Sequence, residues 1–241
     1  AGMMESVEDI PSSVILNGLD WNWDSYGEYL DSLEKLNPAI NLVGMVGHCA
    51  IRTYVMGERG VDEEPNEDEI AQMAALAGKS VAEGAIGFSS SRLIAHKMPD
   101  GRSIPGTFAK SAEMTAIAKA VGENNGLVQN VLEYSNLASE MALLREQALA
   151  AKTRVIFTAP CIPGGPGKAN AYEDIITSMK AEGIDITGLA LPRSFGFLSG
   201  LKTNIMFMSP AWRALIALDF PARLAAIQDA DTRATLIQEA S

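Results

Sequence analysis

The sequence holds two histidines, His48 and His96, and each stands near an arginine and small polar residues. The first group reads Gly47-His48-Cys49-Ala50-Ile51-Arg52-Thr53-Tyr54. An imidazole, a thiol and a guanidinium in one short segment suit acid–base work, metal binding or carboxylate capture. They equally suit a structural histidine and a surface arginine. The second group reads Ser89-Ser90-Ser91-Arg92, with His96 close behind. Three hydroxyls beside an arginine can receive an oxyanion or a carboxylate, or can cap the turn that follows. No G-x-S-x-G elbow is present, so a serine nucleophile is not expected. A third group, Gln129, Asn130, Glu133 and Tyr134, offers Glu133 as either a general base or a cap. A fourth, Ala159-Pro160-Cys161-Ile162-Pro163, has no ligating pattern. There is no H-x-H and no H-E-x-x-H, so nothing has metal-ligand spacing. By itself the chain is not expected to hold a catalytic zinc ion, and Met206 and Met208 read as core fillers.

The four groups stand at the ends of the first four of five short apolar runs, at 40–46, 85–89, 127–132, 154–158 and 185–190. Most of these runs lack polar/apolar alternation, which predicts parallel strands buried on both faces. Between them lie amphipathic stretches with helical spacing. Residues 24–36 carry Tyr26, Tyr29, Leu30, Leu33 and Leu36; residues 66–83 carry Ile70, Met73, Ala77 and Val81. Asn66 followed by Glu69 resembles a capping box, and acids crowd that first turn. Further helices are expected at 111–123, 137–151 and 172–181, with stops at Asn124-Asn125-Gly126 and Gly183. The order is therefore β-α about five times, with roughly 30–40 residues per unit. After Pro192 the pattern changes to a Gly-broken apolar loop, 195–201, and then to helix from Ser209-Pro210 onward.

Five such units suit a doubly wound sheet or an incomplete (β/α)8 barrel. The only Gly-rich segment, 163–168, matches neither phosphate-loop pattern, so a nucleotide fold is disfavoured. The domain expectation is one α/β domain over 1–241, with a leading segment and helix at 1–36 and a loop with terminal helices at 192–241. Of the 241 residues, 19 are Lys or Arg and 30 are Asp or Glu, a net charge of −11. That balance repels phosphate backbones and anionic lipid, so neither nucleic acid nor membrane is an expected partner. No run of about 18 apolar residues encodes a span, and the start at Ala1 lacks a signal-peptide pattern. The two cysteines, Cys49 and Cys161, fit small buried side chains in a reducing, cytoplasmic setting.

Three stretches taken together resemble a known family. They are Val7-Glu8-Asp9-Ile10-Pro11 with residues 21–30; residues 47–59, beginning Gly47-His48 and including Arg52; and Glu83-Gly-Ala-Ile-Gly-Phe-Ser-Ser-Ser-Arg92 with residues 100–108. In this order they are similar to the N-acyl-D-amino-acid deacylase (D-aminoacylase) branch of the amidohydrolase superfamily. The resemblance implies a metal-dependent (β/α)8 barrel that hydrolyses the amide bond of a small N-acyl amino acid with a metal-activated water. It makes Arg52 a candidate carboxylate clamp, with Tyr54, Ser89, Ser91, Arg92 and His96 around the substrate and His48 as a weak catalytic candidate. Zinc is the metal implied for the family. Its H-x-H motif, metal-bridging Cys and late Asp have no counterparts here, and two places where the family carries His read Gln129-Asn130-Val131 and Phe157-Thr158-Ala159. The expectation is a central barrel segment, inactive in isolation, completed by another chain or by self-association. The alternative is a non-catalytic fragment that acts as an assembly or binding module.

Overall fold

The computed structural model describes residues 4, 10–160, 169–190, 200–202, 205, 207 and 209–240. Residues 7–9, Cys161, residues 163–168 and 195–199, Met206 and Met208 lie outside the described residues. The chain divides into two compact units, Ala1–Leu191 and Pro192–Ser241.

The first unit is built on one parallel sheet. Its strands are β1 (Met45–Gly47), β2 (Gly87–Ser91), β3 (Leu127–Val131), β4 (Val155–Thr158) and β5 (Ile186–Leu189), in the order β1-β2-β3-β4-β5. This order decides between the two architectures left open by the sequence. Parallel crossovers are right-handed, so strands laid down one after another put every connecting helix on the same face. A doubly wound sheet must reverse its strand order; this one does not. The fold is an α/β, barrel-type segment of five parallel strand units followed by a helical C-terminal part.

The helices of the first unit are α1 (Ser12–Gly18), α2 (Tyr26–Lys35), α3 (His48–Met56), α4 (Arg59–Asp62), α5 (Glu67–Ala82), α6 (Ser111–Glu123), α7 (Leu137–Ala151) and α8 (Ala169–Ala181), with a 3₁₀ turn at Tyr134–Asn136. Helices α6 and α7 occupy the spans read from periodicity. Their packing is close: a Cβ added at Gly122 would lie 1.9 Å from the Ala151 carbonyl oxygen. The expected capping box of α5 is present. Asn66 Oδ1 accepts from the Glu69 N–H at 2.9 Å and Glu69 Oε2 accepts from the Asn66 N–H at 2.8 Å. Asn66→Ala is expected to lower stability by about 1 kcal/mol, measured by urea denaturation, because one end of this reciprocal pair disappears.

Two strand expectations are corrected. The first strand is three residues long rather than covering 40–46, and Ile40 and Val43 are 70% and 75% exposed. The reason is that β1 lies at the sheet edge and has one partner, β2, which begins at Gly87 opposite Met45. Upstream of Met45 the contact to that neighbour is a bond from the Ile86 N–H to the Gly44 oxygen at 2.9 Å. The strands are also not buried equally on both faces. The level row Phe88, Val128, Val155 and Ile186 is fully buried, whereas Ser89, Ile156 and Thr187 in the next row are half-buried. Helices on one side produce that difference: even positions of β2 pack beneath them and odd positions face away.

The second unit contains α9 (Pro210–Ile216), α10 (Phe220–Gln228) and α11 (Ala230–Glu239), the first opened by proline as expected. Trp212 Nε1 donates to the Leu236 oxygen at 2.8 Å, tying α9 to α11. Asp219 and Asp229 cap α10 and α11. No described helix is long and apolar enough to cross a membrane.

Candidate functional site

In singly wound parallel folds, ligands gather at the carboxyl ends of the strands. Apart from Tyr54, the residues singled out in the sequence lie there, but strand pleating sends them to two different places. Along β2 and just past it, Phe88, Ser90 and Arg92 turn toward the helices, while Ser89 and Ser91 turn to the opposite face.

On the helix side lies a fully buried polar cluster. His48 begins α3 directly after β1, with no loop between them. Its Nδ1 is 3.0 Å from Ser90 Oγ and its Nε2 is 2.7 Å from Glu113 Oε1. Glu113 is an acceptor, so Nε2–H donates to it; a neutral ring then accepts the Ser90 hydroxyl at Nδ1. The other oxygen of Glu113 pairs with the Arg52 guanidinium. Arg52 also donates to the Gly60 oxygen at 2.7 Å and to the Glu63 oxygen at 2.6 Å. His48, Arg52, Ser90 and Glu113 are each at most 5% exposed. Burial pushes the Glu113 carboxyl up, but the hydrogen bonds from His48 and Arg52 outweigh it and hold the group below the usual carboxylate range. The cluster thus fastens α3, β2, α6 and the 57–63 turn to one another. Arg92, the other arginine, donates to Glu140 on α7 and to the Ala109 oxygen, both at 2.7 Å.

On the opposite face, Ser89 Oγ donates to Gln129 Oε1 at 2.6 Å and Ser91 Oγ is 2.7 Å from His96 Nδ1. The row level with Ser89 reads Gly47, Ser89, Gln129, Ile156, Thr187, and the next toward the carboxyl ends holds Ser91 and Val131, with Thr158 and Leu189 on the neighbouring pair. Ser89, Ser91 and His96 are therefore brought together, and Arg52 and Arg92 stand apart from them. Tyr54 is 73% exposed on α3 and lines a separate cavity with Trp23, Tyr26 and Tyr29. Glu133 acts as a cap: its carboxylate accepts from the Ile94 N–H at 2.9 Å and the Ser135 N–H at 3.1 Å. Burial pushes its carboxyl up and those bonds, with that of the Ser135 hydroxyl, bring it below the ordinary value. Burial pushes the Cys49 thiol up, as suits a half-buried packing residue.

Glu113, Glu140 and Gln147 were not singled out from the sequence. A signal for the two acids exists. Glu113 stands four residues before Ile117 and Glu140 four before Leu144, so each interrupts the buried stripe of its helix. An acid on such a stripe calls for a buried cation or donor.

A one-sided parallel sheet with polar side chains on its free face, at the strand carboxyl ends, has the arrangement of the inner wall of a (β/α) barrel. Comparison with known proteins gives the particular likeness. No family model matches the chain. Over 151 residues it is 28% identical to an uncharacterized protein of Mycobacterium tuberculosis, a match covering 58% of this chain and 24% of that protein. Over 80 residues it is 34% identical to the D-aminoacylase of Alcaligenes xylosoxydans xylosoxydans, covering 33% of this chain and 16% of the enzyme. A solved D-aminoacylase with a binuclear metal center superposes with a TM-score of 0.59 and 22% identity, over 70% of this chain and 34% of the other. The N-acyl-D-glutamate deacylase of Bordetella bronchiseptica, solved with zinc and a phosphonate inhibitor, gives 0.56 and 18%, over 68% and 33%. The chain resembles the D-aminoacylase branch of the amidohydrolases in sequence and in fold, and it spans about a quarter of the length of the first of these relatives.

Those neighbours hold divalent metal; the donor set described here does not suit one. Both ring nitrogens of His48 are engaged, and the free side of Glu113 meets a guanidinium where a cation ligand site would need to be open. Among the described residues no three His, Cys, Asp or Glu side chains gather in a metal-binding group.

Proposed function

We propose that these residues form part of the wall of a metal-dependent amidohydrolase that cleaves the amide bond of N-acyl amino acids, with D-amino acids favoured by the named relatives. The observation that supports this reading most is the sequential, one-sided parallel sheet, with Ser89, Gln129, Ser91 and Thr158 on the free face. In this reading the polar free face holds the substrate, and the side chains that grip the metal come from outside the described residues, on other barrel segments. Arg52 and His48 then act by holding the wall together, and Ser89, Ser91 and His96 contact the ligand. A small N-acyl amino acid is the ligand class, and a reducing cytoplasmic setting fits the Cys49 thiol. One observation favours a second reading, a binding module without turnover: the free-face side chains engaged with one another at Ser89 and Gln129 are neutral.

The test is direct. The purified 241-residue chain, given zinc, is expected to take up less than one equivalent of tightly bound metal and to show no hydrolysis of N-acetyl-D-methionine. Stoichiometric zinc retained through dialysis, together with turnover, overturns the assignment of the metal ligands to other segments.

A further inference from the structure

We infer that the cavity beside Tyr54 binds a small organic cation of the alkylammonium class, held against tyrosine and tryptophan rings. The cavity measures about 280 Å³ and is lined from α2, α3 and α5, with Val46 of β1. Val46 stands level with Phe88, in the row that packs beneath the helices, so the cavity owes nothing to the polar free face. Small-molecule sites run upward from about 300 Å³, and this one suits a guest of a few heavy atoms. Its aromatic wall is built locally. Ser25 and Glu28 form a capping box at the start of α2: the Glu28 N–H donates to Ser25 Oγ at 3.2 Å and the Ser25 N–H to Glu28 Oε2 at 3.0 Å. That start sets Tyr26 and Tyr29 three residues apart on one side of the helix, with Trp23 just ahead. Trp23 and Tyr26 each lie against Tyr29, with ring centroids 5.5 and 5.6 Å apart and planes inclined at 59° and 66°. Rings inclined in this way make a bent wall, in which more than one π face can turn to the same guest. The Tyr26 hydroxyl is buried against Gly44, where an added Cβ would lie 2.5 Å from it, so Tyr26 shows the cavity carbon and not oxygen. Tyr54, on α3, adds a fourth ring.

The charges say which guest. Asp24, Glu83 and Lys79 line the cavity with the rings. Lys79 is drawn to Glu83 Oε1 at 3.5 Å, and Glu83 Oε2 accepts from the Gly27 N–H at 3.1 Å, which fixes that carboxylate against α2. Glu28 stands near the same lysine: its carboxyl is held below the usual range by the Asp24 and Ser25 N–H groups first and by the Lys79 charge least. Three carboxylates around one ammonium leave a negative balance beside the rings. A cation gains from the ring faces and from that balance together, and the net charge of −11 on the whole chain draws cations to it. An anion meets the same charges as repulsion, and a neutral apolar guest gains from the rings alone.

The experiment titrates the ¹⁵N-labelled full chain with choline and, separately, with 3,3-dimethylbutan-1-ol, its neutral isostere, and follows the indole N–H resonance of Trp23, assigned with Trp23→Phe. Choline is expected to shift that resonance saturably, and the isostere to bind about tenfold more weakly. Tyr54→Leu removes a ring and Asp24→Asn removes a charge. Both positions are exposed, so the fold should survive, and an unchanged urea midpoint checks that it does. Each variant is expected to bind choline about three- to tenfold more weakly. Equal affinity for the two probes overturns the choice of a cation. A saturable choline shift that neither variant weakens overturns the placement of the site. No saturable shift at Trp23 with either probe overturns the cavity as a binding site altogether.

Discussion

Glu113→Ala is expected to destabilise the chain by about 3–5 kcal/mol, the cost of removing one partner from a buried ion pair. The Arg52 guanidinium is buried and makes its pair with Glu113; alanine leaves that charge without a counter-ion and frees His48 Nε2 as well. Equilibrium urea denaturation at pH 7 measures the effect. Glu113→Gln keeps the volume and one acceptor oxygen, so its loss should be smaller, yet still well above that of a surface substitution. The pH dependence has a definite sign. The folded carboxyl titrates below its unfolded value of about 4.3 because His48 and Arg52 hold it ionised against burial. Its contribution is complete above that unfolded value and is lost as pH falls through the lower folded one. The parent chain should therefore lose stability on acidification below about pH 4 more steeply than Glu113→Gln. Parallel curves for the two proteins from pH 7 to pH 3 would contradict the proposed role of the carboxylate.

Gly106→Ala is the second large effect, and it reaches the same cluster from outside. Gly106 has φ +94° and an added Cβ would sit 2.5 Å from His48 Nδ1 and 2.7 Å from its Cε1. The backbone conformation costs an L-residue about 1–2 kcal/mol. The overlap adds about 1–3 kcal/mol of overpacking. His48 cannot retreat, because its two nitrogens are anchored on Ser90 and Glu113 and its ring stands edge-on to Phe88 at 5.4 Å. Thermal denaturation followed by circular dichroism should show a lowered midpoint. The His48 ring resonances should also move, which mere strain in the 92–110 loop would not produce.

Much of the framework could be read from residue order. Helix α6 was bounded by the Asn124-Asn125-Gly126 stop, α7 was legible from its spacing alone, and the Asn66–Glu69 pair announced the start of α5. The strand count followed from the apolar runs. What the runs concealed was their one-sidedness: Phe88 and Ser89 differ by one position and therefore by a whole face of the sheet. The Ser89–Arg92 string was legible as polar residues at a strand end, but types alone do not show that Ser90 and Arg92 turn toward helices. His48 was legible as a residue of interest, and its role depends on Ser90 and Glu113, which are 42 and 65 positions away. A single sequence carries no signal for such pairings beyond an acid lying on an apolar stripe.

The consecutive strand order has a consequence for how the first unit comes apart. Each β/α layer leans on the ones before and after it, like cards in a fanned deck, so cooperativity must travel layer by layer. The buried ionic cluster rivets the β1, β2 and α6 layers together, whereas the ion pairs among the described residues of the other flank, Arg145–Glu182 and Arg154–Asp185, are exposed. Fraying should therefore begin beside β5 and stop short of the riveted layers.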